Sequence, residues 1–354
     1  EADTDNELVA GIQSSATAGN SLYDVRTADI RFIMFVLNDG PSPPNPASGI
    51  YSHISRKCIQ TSSNDTIKIE NDQSLEAAIE YCGDLVRKHD PDNYLVSMFY
   101  PKHLQRVYYA IRAFNLELVM IRDSVSSPQI GKIRMQFWRD TIDNVFKGKP
   151  PQQPIAQVLF NALETCRLSP LFFKRIIDER EANLDDLPYF TIKDLESYGE
   201  NTASCLLYLH LESLNVKDVK ADHAASHIGK AIGIVTILRA FPYLASKRRM
   251  LLPTEILAKH NISQEEIFRS GPVKGLDDIV FEVATLAHDH LLTARSLLPD
   301  ILGQALPALL SAVPCDLYLK RLEKYNFNVF EPKVNRKDWK LPIQLWFRYK
   351  KGRF

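Results

Sequence analysis

Two pairs of histidines are the first residues whose type and spacing could support metal chemistry. His223 and His227 lie four residues apart, so a helix would place them on one face, as two ligands of one metal ion require. No third ligand accompanies them at that spacing, and we interpret them as surface histidines. His288 and His290 lie two apart, so a helix directs them differently. We interpret this second pair as hydrogen-bonding residues.

A dense acidic stretch, DEREANLDD at residues 178–186, is the next candidate. Helical spacing could place Asp178, Glu181 and Asp185 along one face. We interpret it as a solvated helix end that leads into a turn. The general motifs of nucleotide-binding proteins, serine hydrolases and zinc proteases are all absent from the sequence: GxxxxGK[ST], GxGxxG, GxSxG and HExxH.

The elements that must position these residues are helices. From Ser74 to about residue 325 the apolar residues recur at helical spacing, and Leu104 to Arg122 predicts a core helix with a wide buried face. Start signals stand at Pro154, at Ser169 with Pro170, and at Thr191, whose third following residue is acidic. Further helices are predicted to start near Asp222, Ser263, Asp277 and Gln304. The fold class is therefore all-α.

Gly229 and Gly233 lie four apart inside an apolar helical stretch. Glycines at this spacing let a neighbouring helix approach closely. We predict that they serve packing.

Residues 1–70 differ from the rest in composition and show little helical periodicity, and we predict that they are mostly disordered. Within them, residues 41–64 contain Arg56, Lys57 and many hydroxyl residues but no acid. This composition is typical of a mitochondrial presequence. A serine-rich linker is the alternative.

Composition excludes several functional classes. Lys+Arg and Asp+Glu number 43 each, so no net field attracts nucleic acid. The five cysteines are scattered without zinc-site spacing, which indicates reduced thiols in a non-secreted protein. No uncharged run approaches the roughly 18 apolar residues of a membrane span, so we predict no helix that crosses a bilayer.

Three blocks carry a family resemblance: YYAIRAFNLELVMIRD (residues 108–123), DEREANLDDLPYFTIKDLESYGENTA (178–203) and HIGKAIGIVTILRAFPYLASKRRMLLP (227–253). In this order they resemble the squalene/phytoene synthase family over about residues 74–326. The resemblance implies an isoprenoid-synthase-like single helical domain around a central cavity, at residues 71–335. Residues 336–354 would form a basic, aromatic C-terminal tail.

Active members of this family hold magnesium with a DxxxD pair on each of two facing helices. The resemblance places the first pair on Asn115 and Val119 and the second on Ala240 and Leu244, none of which is a carboxylate. A shift of one or two residues recovers only Glu117. The resemblance thus implies no catalytic residue, no bound metal and no cofactor, and hence a pseudoenzyme. A prenyl-diphosphate transferase remains the alternative.

The resemblance also implies which polar residues remain around the cavity. They are Arg112, Glu117, Tyr198, Asn201, Lys230 and Arg239. The arginines could hold an anionic head group without metal, because a guanidinium suits phosphate. We favour the alternative that Arg112 and Arg239 pair internally with Glu117, Asp123 or Glu200, since a buried arginine needs a partner in every state. The cavity could also bind a lipid or prenyl group.

Several words, among them RMQFWRDT, LESYGENT and ADHAASHIGKAIGIVT, resemble one member of the family that acts early in the assembly of mitochondrial complex I. This implies complex I subunits or other assembly factors as partners, on the matrix side of the inner membrane. Residues 337–354 mix aromatic and basic side chains, which favours contact with an anionic membrane surface. Packing of these aromatic residues on the helical domain is the alternative.

Overall fold

The structure is a computed structural model that describes the backbone of residues 63–354 and the side chains from residue 73 onward. No strand occurs in this range, so the all-α prediction is confirmed. The first eight helices are α1 (Ser63–His89), α2 (Pro91–Ser97), α3 (Lys102–Ser124), α4 (Pro128–Phe146), α5 (Pro154–Ala162), α6 (Pro170–Ala182), α7 (Ile192–Gly199) and α8 (Cys205–Ser213). The others are α9 (Val219–Ser246), α10 (Thr254–Lys259), α11 (Gln264–Ser270), α12 (Leu276–Leu297), α13 (Leu306–Leu309), α14 (Ala312–Lys324) and α15 (Leu341–Lys350).

Local sequence signals set many of these helix starts. Pro154 and Pro170 occupy the first turns of α5 and α6, where a missing N–H costs nothing. Thr191 and Asp194 form a capping box at the start of α7, as predicted. Helix α1 begins at Ser63, earlier than the predicted boundary at Ser74. The disorder and presequence predictions for the preceding residues lie outside the described residues.

Helix α9 is the central helix. It is long and apolar enough to cross a membrane by length and composition, but 61% of its most apolar stretch is buried inside the fold. The prediction that no stretch approaches a membrane span in length and composition was therefore wrong. Charged Lys230 and Arg239 interrupt the stretch without reducing its apolar character below that of a span. Burial on several sides explains the composition, because a helix enclosed by its neighbours must be apolar around most of its surface.

The glycine prediction is confirmed at α9. A Cβ on Gly233 would lie 2.6 Å from the Cα of Gly199, and a Cβ on Gly229 would overlap Ser204. Gly199 is the last residue of α7, and Ser204 ends the π-helical turn Glu200–Ser204 that joins α7 to α8. Glycine is required here because the two backbones are in direct contact.

Two hydrophobic clusters make up the core. One is centred on α9, α12 and α14, and the other on α1, α3, α5 and α6. Helix α8 contributes to both, through Leu207 and Leu211 on one side and Leu206 and Leu209 on the other. The candidate site lies where α3 faces α9.

The C-terminal segment packs on the domain. Leu341, Leu345 and Phe354 are buried in the cluster around α9, and Pro342 occupies the first turn of α15. The described residues form one compact unit that includes this segment. The packing alternative therefore describes these residues, although Trp339 stays 68% exposed.

Four cysteines, Cys82, Cys166, Cys205 and Cys315, are buried and free. Burial raises the pKa of Cys82 and of Cys205 to about 12. These thiols are therefore inert core residues.

Candidate ligand cavity

A cavity of about 680 Å³ lies between α3 and α9. Apolar side chains of both helices, including Leu116, Val119 and Ile232, form part of its wall. Its polar wall contains twice as many cationic residues as carboxylates. The cations are Arg112, Arg180, Arg239, Arg321, Arg336 and Lys337, and the carboxylates are Asp90, Asp92 and Asp338.

Three of the four positions that the resemblance assigns to the acidic pairs line this cavity. Asn115 and Val119 reach it from α3, and Ala240 reaches it from α9. Leu244 lies one turn further along α9 and is buried, with 6% of its surface exposed, but it does not line the cavity. Helical periodicity explains the α3 pair, since residues four apart share a face.

Arg112 pairs with Asp90 at the back of the cavity. The two side chains are 11% and 16% exposed and are in direct contact. Asp90 also caps α2 by accepting a hydrogen bond from the backbone N–H of Asn93. Burial alone would raise the pKa of Asp90, but the Arg112 guanidinium and the Asn93 hydrogen bonds hold that pKa below its ordinary value. The pair is therefore charged and internally neutral.

Arg239 pairs with Asp92, with 3.4 Å between Nη1 and Oδ2. Its guanidinium also lies 5.7 Å from the ring centroid of Tyr318. Both arginines thus have internal partners, as we favoured, but the partners come from the α1–α2 junction. The named partners were wrong: Asp123 pairs with Arg249, and Glu200 accepts hydrogen bonds from Tyr208 and Ser226.

Arg180 lines the cavity and has only neutral hydrogen-bond partners in the part of the chain that the structure describes. Its Nη1 donates to the Tyr198 hydroxyl at 2.5 Å, and its Nη2 donates to Asn115 Oδ1 at 3.3 Å. Its buried Nε has no hydrogen-bond partner. Arg180 comes from the acidic stretch that we interpreted as a solvated helix end, so the sequence did not single it out.

The other predicted polar residues divide between the cavity and its surroundings. Arg112, Tyr198 and Arg239 line it, whereas Glu117, Asn201 and Lys230 do not. Glu117 is two residues after Asn115, so its side chain points to a different face of α3. There it accepts a hydrogen bond from Tyr81 of α1. Asn201, in the π-helical turn, accepts a hydrogen bond from Arg175 and donates one to Glu179, both on α6.

Besides Arg180, sequence reasoning missed cavity residues from two short segments. Asp90 and Asp92 flank Pro91 at a helix start, and this N-cap signal could have identified the turn but not its contact with α3 and α9. Residues 335–338 and Leu341 line the cavity from the C-terminal side. Asn335 donates to the backbone oxygen of Arg239 at 3.3 Å, which joins this segment to α9.

The acidic stretch at the end of α6 is neutralised by α4. Arg139 pairs with Asp178 and Glu181 at 2.7 and 2.8 Å, and Lys132 pairs with Asp185 at 3.3 Å. Within residues 63–354, no three His, Cys, Asp or Glu side chains are grouped so that they could hold a metal ion. The acidic stretch is thus an ion-paired surface.

Comparison with known proteins agrees with this architecture. The squalene/phytoene synthase family model matches residues 86–346, so the chain belongs to the squalene/phytoene synthase family. A solved structure titled as a dehydrosqualene synthase in complex with ligand superposes with a TM-score of 0.69 at 19% identity, over 79% of this chain and 98% of that one. The isoprenoid-synthase-like fold is confirmed.

Relatives of higher identity carry a different name. The chain is 46% identical over 274 residues to "NADH dehydrogenase (ubiquinone) complex I, assembly factor 6" of Rattus norvegicus, covering 77% of this chain and 82% of that protein. It is 42% identical over 309 residues to the Bos taurus protein of the same name, covering 87% and 93%. The resemblance found in the sequence is confirmed.

Proposed function

We propose that the protein is a non-catalytic assembly factor for mitochondrial complex I, acting early in its biogenesis. Relatives that are 46% and 42% identical over 77% and 87% of this chain are named as assembly factors of that complex. Its partners would be complex I subunits or other assembly factors, on the matrix side of the inner membrane. No nucleic acid is involved in this proposal, since the charges balance.

The observation that carries the non-catalytic part is the residue set on the cavity wall. Magnesium binds through several oxygen ligands, chiefly carboxylates and substrate phosphates. The faces of α3 and α9 present Asn115, Val119 and Ala240 at the aligned positions. These side chains do not fit a magnesium cluster.

The carboxylates that the cavity does contain are already engaged. Asp90 is paired with Arg112 and Asp92 with Arg239. Each pair removes one metal ligand and one phosphate-binding cation together. Departure of a diphosphate requires metal ions that neutralise its charge. The pairs leave no unpaired carboxylate among the described residues of the cavity wall to hold such ions, since Asp338 is paired with Arg321.

The first test titrates the purified chain with farnesyl diphosphate, with and without Mg²⁺, and analyses the same sample for prenyl products. We expect no product and no dependence of binding on magnesium. Magnesium-dependent binding with turnover would overturn the proposal and favour a prenyl-diphosphate transferase.

The second test addresses assembly directly. In cells that lack the related assembly factor, expression of this chain should restore mature complex I on native gels. The double variant V119A/A240S, which alters two of these positions without adding a carboxylate and keeps the Asn115 contact with Arg180, should restore it equally well. Loss of rescue at an equal protein level would contradict a non-catalytic role.

A second candidate function is metal-free binding of an amphipathic anion in the cavity. Arg180 has only neutral partners among the described residues, and its Nε is buried without an acceptor. A phosphate or carboxylate head group would satisfy it, while the apolar wall takes a hydrocarbon chain. This activity is compatible with assembly work, and the binding measurement on Arg180 described in the Discussion tests it.

The C-terminal segment supports the membrane part of the proposal. Residues 333–354 contain eight Lys or Arg and one acid. Trp339 and Phe347 are 68% and 36% exposed. A basic surface with exposed aromatic side chains suits an anionic bilayer, where each Lys or Arg contributes on the order of 1 kcal/mol.

Vesicle flotation tests this surface. The variant K340E/K351E should lose most binding to vesicles that contain cardiolipin, and should differ little from the wild type on neutral vesicles. The control K217E/K274E changes the net charge equally at two other exposed lysines. Equal losses in both variants would show that net charge alone matters and would contradict a specific membrane face.

A further inference from the structure

Four side chains from three helices form a continuous chain of hydrogen bonds, here called the histidine chain. His290 Nε2 lies 2.7 Å from Glu196 Oε1, His290 Nδ1 lies 2.8 Å from His227 Nδ1, and His227 Nε2 lies 3.2 Å from His223 Nε2. The order is thus Glu196 on α7, His290 on α12, then His227 and His223 on α9. None of the four lines the cavity.

The buried end determines where each proton lies. A carboxylate only accepts hydrogen bonds, so the proton between Glu196 and His290 belongs to His290 Nε2. In a neutral ring the other nitrogen is then an acceptor, and His290 Nδ1 must receive the proton of His227 Nδ1. His227 Nε2 is consequently left with a free lone pair that points away from the buried end.

Burial makes this arrangement directional. His290 and Glu196 are 10% and 24% exposed, while His223 is exposed. The histidine chain therefore passes from Glu196 through the buried His290 to the exposed His223. A lone pair of His227 lies beside the ring of His223. A metal-binding histidine has this support, because its second nitrogen donates to a group that holds the ring and raises its basicity.

The distance between the two outer nitrogens fits a shared ion. Two nitrogens bound to one zinc ion at about 2.0–2.1 Å with tetrahedral angles are about 3.3–3.4 Å apart. His227 Nε2 and His223 Nε2 are 3.2 Å apart. This separation is at the long limit of an N–H···N hydrogen bond, so the geometry suits the ion at least as well as the bond.

From these contacts we propose a binding site for a divalent transition-metal ion at His223 and His227, with His290 and Glu196 as positioning residues. Imidazole suits zinc, copper and nickel. No third His, Cys, Asp or Glu completes the site within the described residues, so water or an incoming ligand occupies the remaining positions. The site is separate from the cavity and does not depend on the proposed assembly function.

The test titrates the full chain, purified without a histidine tag, with Zn²⁺ by calorimetry. We expect one ion per chain, with an affinity at least tenfold weaker in His223→Gln. His288→Gln is the matched control, because His288 is exposed on α12 and lies outside the histidine chain. The control should stay within twofold of the wild type.

Glu196→Gln tests the positioning role. A glutamine amide can donate as well as accept, so the proton order is no longer fixed. We expect zinc affinity to fall about 10–100-fold, as for other residues that support metal ligands. The visible spectrum of bound Co²⁺ should change in this variant and stay unchanged in His288→Gln.

Three results would overturn the proposal: no zinc binding by the wild type, equal affinity in His223→Gln, or an equal loss in His288→Gln. The last would indicate nonspecific surface binding. Because His223 is exposed, its variant is expected to fold, and thermal unfolding without metal checks this.

Discussion

The cavity and the cluster around Asp316 both contain more cations than carboxylates, but they differ in what those cations contact. Asp316 is 1% exposed and pairs with Arg295, Lys320 and Arg348 at 2.7–3.0 Å. One buried carboxylate there joins α12, α14 and α15. In the cavity, cations outnumber carboxylates and Arg180 has no acidic partner among the described residues.

The two sets of charges therefore have different roles: those around Asp316 connect helices, and those of the cavity are placed to bind a ligand. In the Asp316 cluster, Arg295 of α12 and Arg348 of α15 both pair with a carboxylate of α14, so the charges hold the C-terminal helix in place. In the cavity the surplus positive charge faces an open volume. Ion pairs that are closed on themselves support stability, whereas an arginine held only by neutral groups is available to a ligand.

The largest expected effect is at the Asp316 cluster. Asp316→Asn leaves Arg295 and Arg348 without their acidic partner, and breaking a buried pair in this way costs about 3–5 kcal/mol. Denaturant unfolding should show this loss of stability. Hydrogen exchange should show that α15 opens more readily than α9, and equal protection of α15 in the variant would contradict the anchoring role.

A smaller loss is expected at the back of the cavity. Arg112→Met leaves Asp90 partly buried without its cation, so the unfolding free energy should fall by about 3 kcal/mol, at the low end of the range for such pairs. Tyr81→Phe, which removes the hydroxyl bonded to Glu117 outside the cavity, is the control. An unchanged unfolding free energy in Arg112→Met would show that this pair is already solvated.

Low pH should reduce the difference in unfolding free energy between the wild type and Asp316→Asn. Burial opposes ionisation, but Arg295 and Lys320 lower the pKa of Asp316 from 3.8 to about 2. A carboxyl with a lowered folded pKa contributes stability above its unfolded pKa and loses it as the pH falls through the folded value. The stability difference between the wild type and Asp316→Asn should therefore be constant above pH 4 and narrow between pH 4 and 2. A difference that widens in acid would have the wrong sign.

The smallest effect on stability is expected at Arg180. Arg180→Met removes hydrogen bonds to neutral groups, so the unfolding free energy should change by about 1 kcal/mol or less. Binding of a long-chain alkyl phosphate without Mg²⁺ should nevertheless weaken at least tenfold. Arg175→Met, on the same helix but outside the cavity, is the matched control. Equal binding by all three proteins would remove the second candidate function.

The elements of the fold were largely predictable from the chain because their signals are local. The prolines that open α5 and α6 and the capping box of α7 act within a few residues. The positions on α3 and α9 came from the family resemblance, and helical spacing explains only why Asn115 and Val119 share a face. Leu244 does not line the cavity. The acidic stretch at residues 178–186 was also placed correctly at a helix end, but the role of Arg180 within it was overlooked.

The partners of the charged and polar groups were decided only by the tertiary structure. Asp90 and Arg112 are 22 residues apart in sequence, Asp92 and Arg239 are 147 apart, and His290 is 94 residues from Glu196. Helical periodicity states which residues share a face, but it does not state which face of another helix lies opposite. That choice is made when apolar faces pack together, and ion pairs and hydrogen bonds then form between whichever groups the packing brings within reach.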